Sequence, residues 1–341
     1  MKKLLLLPAL LLPLTLFAKI WIVDSNPGSA SKDFVNLQEA HDGASAGDTL
    51  YLIGSGVSYI TTKVTINKRL IIIGPGYFLN NPETQVSLAA AFLRLATDPC
   101  NAGVEFATGS EGSAIMGVSH AGNIAILTNN IMIKRNLFYD NKQSCSGSNR
   151  ITISGSAVSI LQNYIEPNQN SIAVRVNAGF NNIRINNNFA HGTFDAFISI
   201  GSSGEIINNL IVGGVIADNT LVQNNISFAV PVNGTFNNCT VRNNIAAGSA
   251  AFPSGNGNIL NVAQSDIFLG IGTVDSRWKL KDGSPAIGSG FEGVDMGMFG
   301  GNEPYVLSGI PPIPTIYQLN APAVGEKNTG LPITVKAKAN N

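Results

Sequence analysis

The sequence predicts an all-β solenoid, in which short strands coil repeatedly and pair in parallel from one coil to the next. Two observations carry that prediction. An asparagine recurs in one local context six times, between short apolar stretches, at Asn136, Asn163, Asn188, Asn209, Asn225 and Asn244. Ahead of it a second feature recurs in register, an alternating apolar strand such as Ile124-Ala125-Ile126, Ile151-Thr152-Ile153, Val174-Arg175-Val176 and Ile198-Ser199-Ile200. Composition agrees: only 12% of residues are charged and 36 of 341 are glycine, against a usual charged share of ~25%.

The chain opens with Met1-Lys2-Lys3 and an apolar run from Leu4 to Phe17. That run is short against the ~20 residues a membrane helix needs. It reads as a secretory signal over residues 1–18, cleaved near Ala18, and predicts export to the cell surface, periplasm or medium. No later run is long enough to predict a transmembrane anchor. A strand follows at Lys19–Val23, then a helix over Asp33–Ala46 with Phe34, Leu37 and Ala40 on one stripe. Strands are predicted at Thr49–Ile53, Lys63–Ile66 and Leu70–Ile73, stopped by Gly74-Pro75-Gly76.

The repeat core runs from about 103 to 270. Successive asparagines are 27, 25, 21, 16 and 19 residues apart, a solenoid spacing. Parallel pairing of the coils, ~4.8 Å apart, turns Ile124, Ile126, Ile151, Ile153, Val174, Val176, Ile198 and Ile200 inward. Ala125, Thr152, Arg175 and Ser199 then form one outward column. The asparagines are expected at sharp turns, tolerating a left-handed backbone and bonding amide to amide up the stack.

An inward-alternating coil with an asparagine ladder resembles the right-handed parallel β-helix of the pectin-lyase-like superfamily, over roughly residues 48 to 300. The stretch Gly283-Ser284-Pro285-Ala286-Ile287-Gly288 and Val294-Asp295-Met296-Gly297-Met298-Phe299-Gly300 is similar to the closing segment of many secreted bacterial β-helix repeat proteins. The resemblance implies a helix over the amino end of the stack, because solenoid ends expose strand edges. The expected layout is therefore a β-helix with its cap over 19–303, then a Pro-rich linker and two strands (Ile316–Asn320 and Leu331–Lys336) over 304–341. The superfamily holds lyases, hydrolases, adhesins and non-catalytic shafts, so the fold alone implies no single activity.

The residues limit the chemistry. Formal net charge is zero, and no basic stripe is present to neutralise phosphates, so nucleic acid is not an expected partner. A calcium-dependent lyase needs several carboxylates on the ion. The column Ala125, Thr152, Arg175, Ser199 and its neighbours Asn123, Arg150, Ala173, Phe197 hold two arginines and no acid. Residues 151 to 275 contain nine charges and no lysine. Polygalacturonase-type hydrolysis needs paired carboxylates around the bond, and the chain has no Asp-Asp pair. His120 and His41 have no metal-ligand spacing, so neither a metal nor a cofactor is expected.

The best cluster for chemistry is Arg175, His191 and Asp195 as candidate catalytic groups, with Arg150 to grip a carboxylate and Phe197 to stack on a sugar. The six ladder asparagines are read as structural. Two readings stand side by side. One is a non-catalytic exported module that binds carbohydrate or a surface protein. The other is a polysaccharide lyase or glycoside hydrolase acting on a cell-wall or matrix polysaccharide. A third, ice binding, would require a regular threonine array, and Thr152 is alone in its column. Cys100, Cys145 and Cys239 leave at least one thiol unpaired, with a Cys100–Cys145 bridge left open. Asn225-Ile226-Ser227, Asn233-Gly234-Thr235 and Asn238-Cys239-Thr240 match the glycosylation acceptor pattern.

Overall fold

The computed structural model describes residues 18–79, 89–94, 102–139, 149–166, 172–177, 179–191, 194–195, 203–228, 234–325, 327–328 and 330–339. The expected inward residues Ile198 and Ile200, the outward Ser199, the cysteines Cys100 and Cys145, and Phe197 lie outside the described residues.

Each coil visits three faces, and every strand pairing along the tube is parallel. A first sheet of ten strands runs from Ile20–Val23 to Thr240–Arg242. A second, of eight, runs from Phe92–Leu93 to Ile245–Ala246. A third, of five, runs from Val64–Ile66 to Val174–Val176, and Phe194–Asp195, Val215–Asp218 and Thr235–Asn237 form a further three-stranded sheet beside it. The chain is thus a parallel β-helix. Its strands are two to six residues long because each spans one face before the chain must turn.

The interior follows from period-two alternation. Ile133, Ile160, Ile185, Ile206 and Val222 face in from the first sheet, Phe138, Ile165 and Ile211 from the second, and Ile124, Ile126, Ile151, Ile153, Val174 and Val176 from the third; each is at most 1% exposed. Burying each such side chain contributes about 1.5–3 kcal/mol, so the stack is held mainly by this continuous column. Ala125, Thr152 and Arg175 face outward in register.

The ladder sits at the corner between the first and second sheets. Asn136, Asn163, Asn188, Asn209, Asn225 and Asn244 are all fully buried. The backbone N–H of each donates to the side-chain oxygen of the next at 2.9 Å, and Asn258 closes the series. Each Nδ2 also reaches back to a carbonyl of the coil below, as Asn188 does to Ile160 at 2.8 Å. The left-handed turn falls one residue earlier than the sequence predicts. Arg135, Gln162, Asn187, Asn208, Asn224 and Asn243 carry the positive φ, between 48° and 57°. The ladder residue cannot take that role, because its amide and its backbone N–H must both lie along the stack.

Those left-handed residues aim their side chains outward, and there they hold the closing segment. Asn243 donates to Ser289, Asn208 to Asp295 and Gly297, Asn187 to Met298 and Gly300, Gln162 to Glu303 and Pro304 and Arg135 to Ile310. Residues 289–310 therefore run as a strap from the last coils back to the early coil that holds Tyr77 and Phe78. The strap covers an apolar outer row of the second sheet, including Leu137, Tyr164, Phe189, Leu210, Ile226 and Ile245, with Met296, Met298 and Tyr305. Packing continues past residue 303: Tyr305 and Ile310 are buried, and Ile313 rests on the cluster of Ile73, Ala114 and Met116. Beyond it Thr315–Asn320 and Thr334–Lys338 form an antiparallel hairpin.

At the amino end the helix is shorter than its sequence stripe, Leu37–Gly43, capped by Asn36, which accepts from the Glu39 N–H. Residues 33–34 are excluded because they pair with the first strand, Asp33 N donating to Ile22 and Asp24 N to Phe34. Leu37 and Ala40 cover the first coil. Asp48 fixes this end by accepting from Lys19 N, Trp21 Nε1 and Ser45 N, each at 2.8 Å.

Candidate functional site

Of the candidate catalytic residues, Arg175 and Asp195 lie on neighbouring strands of one face and His191 on another. Arg175 stands on the third sheet, opposite Thr152. The strand of Asp195 neighbours that of Arg175 and pairs Asp195 with Ile216. His191 ends strand Phe189–His191 of the second sheet and is exposed. The outer column of the third sheet does contain an acid, one coil before the predicted column begins. Glu105 pairs with Ala125 and Thr65 in register and meets Lys63 at 3.0 Å.

Arg150 is not a surface grip. It is fully buried, with Nε donating to the Glu166 carbonyl, one terminal nitrogen to Ala121 and the other to Tyr139, at 2.8–3.1 Å. A guanidinium carries five N–H donors and no acceptor, so it suits a corner where three carbonyls converge. Alternation carried one residue past the strand start suggested an outward position, but the chain has already turned there. Two acceptor-pattern asparagines also resolve: Asn225 is buried in the ladder, whereas Asn238 is exposed and donates to Asn219.

The charged groups converge instead on the outer face of the first sheet. Counting back from the ladder, the positions four residues before it align as Met132, Ser159, Arg184, Glu205 and Leu221. Those two residues before it align as Lys134, Leu161, Asn186, Ile207, Gln223 and Arg242. The ladder spacing therefore contained this site, but only when the strand after the turn is followed rather than the one aligned ahead of it. Strap residues Phe291 and Glu303 form the second wall of a groove of about 210 Å³.

Arg184 is the centre of this groove. Its Nε donates to Glu205 at 2.8 Å and a terminal nitrogen to Glu303 at 3.1 Å. The bond to Glu205 raises the Arg184 pKa above its ordinary value. Asn186 donates to the same Glu205 oxygen. Three coils on from Arg184, Arg242 donates to Gln223 at 2.7 Å and lies 3.5 Å over the Phe291 ring. Lys134, half-buried on the same sheet face two coils before Arg184, has a lowered pKa, through burial first and then the adjacent Arg135, while Glu303 acts the other way. The groove thus presents paired charges, primary amides and one aromatic face. Among the described residues no group of three or more His, Cys, Asp or Glu side chains could hold a metal ion, and no helix is long and apolar enough to cross a membrane.

Fold and groove together define a parallel β-helix with a polar cleft between one sheet and a strap. No family model and no curated protein matches the chain. Solved structures similar to it are a polygalacturonate lyase fused to a self-assembling amphipathic peptide (13% identity, 72% of this chain and 81% of that one, TM-score 0.35), a rhamnogalacturonan lyase (14%, 67% and 68%, TM-score 0.32) and a mutant Bacillus subtilis pectate lyase (12%, 78% and 84%, TM-score 0.32). At these values the likeness is one of backbone architecture alone.

Proposed function

We propose that this chain is an exported, non-catalytic β-helix that binds a hydroxyl-rich polysaccharide along the first-sheet groove. The observation that carries the proposal is the saturation of Arg184 by Glu205 and Glu303. An arginine already neutralised twice offers little to a polyuronate. Fixed carboxylates, amides and a ring face do suit neutral sugars, through hydrogen bonds to hydroxyls and contact with the apolar face of the pyranose. The signal-like segment 1–18 supports export.

The test is affinity electrophoresis of the mature protein against neutral and acidic plant and microbial polysaccharides, comparing wild type with Arg184→Ala and Gln223→Ala. Retardation by a neutral polymer, weakened in both variants, is expected. Retardation by polyuronates alone would sink the proposal.

One observation favours the second reading, a polysaccharide lyase: Lys134 lies on the same outer sheet face as Arg184, and burial first, then Arg135, lowers its pKa, the direction a proton-abstracting base requires. Release of unsaturated products by wild type, lost in Lys134→Ala, would establish it. Arg175→Ala, His191→Ala and Asp195→Ala in the same assay test the alternative centre on the other faces.

A further inference from the structure

We propose that a second site, separate from the groove, binds a small neutral aromatic compound against the outer face of the second sheet. The outer row of that sheet reads Phe92, Ser119, Leu137, Tyr164, Phe189, Leu210, Ile226 and Ile245 from coil to coil. Every member but one is a large apolar residue. At Ser119 the row loses a side chain's volume, and a cavity of about 560 Å³ opens beside it. That volume lies within the ~300–1,000 Å³ range of small-molecule sites.

The lining fixes the class of ligand. Tyr77, Phe78, Phe92, Leu137 and Val274 give aromatic and aliphatic walls, and no charged side chain is among the described residues around it. Two of its polar groups are committed elsewhere: the Tyr77 hydroxyl to Tyr305, and the Thr273 hydroxyl to Asp275 and Ser276. The Ser119 hydroxyl is fully buried and has no hydrogen-bond partner. A buried hydroxyl without a partner is unfavourable, and a ligand carrying one donor or acceptor would supply it. The mouth is apolar as well: Val274 is 37% exposed and the neighbouring Ile271 is 76% exposed. A flat, uncharged ring system with a single hydrogen-bonding substituent meets each of these conditions; a sugar, with a hydroxyl on nearly every carbon, does not.

The probe is N-phenyl-1-naphthylamine, a neutral aromatic with one N–H, titrated into the mature protein and followed by its fluorescence. Saturable binding of one equivalent is expected. Ser119→Leu fills the gap in the row and should weaken binding more than tenfold. Ser119→Ala keeps the cavity but removes the acceptor, and should weaken it about three- to tenfold, the worth of one hydrogen bond. Should Ser119→Leu fail to fold, Val274→Lys tests the same site from its exposed rim and should also weaken binding. No saturable binding, or equal affinity in wild type and in the folded variants, overturns the proposal. Soluble polysaccharide should not displace the dye, so this result stands apart from that of the groove.

Discussion

The hydroxyls of Tyr77 and Tyr305 meet at 2.8 Å inside the protein, joining positions 228 residues apart. Tyr305 also lies 3.4 Å from Asp275 Oδ2, which accepts from the Ser308 N–H at 2.7 Å, while Asp275 Oδ1 accepts from the Thr273 hydroxyl. This buried network fastens the far end of the strap to an early coil. Tyr305→Phe leaves the Tyr77 hydroxyl without its partner and should cost about 1–3 kcal/mol. The double variant Tyr77→Phe/Tyr305→Phe should cost less than the sum of the single ones. Urea unfolding with a common slope checks both statements.

The same pair predicts alkaline sensitivity. Burial holds both phenols well above their ordinary value. The unfolded chain gives up these protons near pH 10 and the folded one does not, so stability is full below that pH and falls above it. Thermal unfolding from pH 8 to 11 should show the decline, reduced in the double phenylalanine variant.

His120 sets an acid limit. It lies inside the tube, stacked on Phe138 at 4.7 Å, and burial lowers its pKa from 6.5 to about 3. The unfolded state binds a proton below pH 6.5 while the folded state resists it. Stability is full above 6.5 and falls by up to about 1.4 kcal/mol per pH unit until pH 3. In His120→Phe the slope between pH 6 and 4 should flatten; an unchanged slope would remove His120 as its source.

The ladder should be most sensitive at its middle. Asn188 uses Nδ2 on Ile160, Asn186 and Asn209, and its oxygen accepts twice from Asn163. Asn188→Ala strands several buried partners and should cost at least about 3 kcal/mol, by summation of unsatisfied groups. Asn188→Asp keeps the shape but turns donors into acceptors and should fold no better. Asn258→Ala, at the partly exposed end of the series, should cost about 1 kcal/mol.

Glycine is required where the strap crosses the corner. A Cβ on Gly300 would lie 1.9 Å from the Asp295 carbonyl oxygen and 2.7 Å from the Asn208 amide. Gly300→Ala should therefore release the strap locally. Hydrogen exchange would report it as faster exchange at Met296, Gly297 and Tyr305, whose N–H groups donate to Ala286, Asn224 and Met298.

How much of this was legible in the sequence depends on whether a residue's role is periodic. Ile151 and Ile153 could be turned inward because alternation repeats in each coil. The ladder was legible for the same reason. Arg135 and Gln162 were not, because their partners Ile310 and Pro304 lie in a segment with no repeat of its own. Arg150 was misplaced since alternation ends where the strand ends, and nothing local marks that point. Arg184 and Glu205 were recoverable, each four residues before its ladder asparagine, but the aligned column belonged to another face. Glu303 comes from the strap, and only folding brings it there.

The bonds from Asn243, Asn208, Asn187, Gln162 and Arg135 to successive strap carbonyls have a consequence for how such a molecule can change length. A free solenoid grows by duplicating a coil, since each repeat contacts only its neighbours. Here an added coil would put every later amide out of phase with residues 289–310. The strap acts as a ruler, and a change in coil number requires a matching insertion some hundred residues downstream.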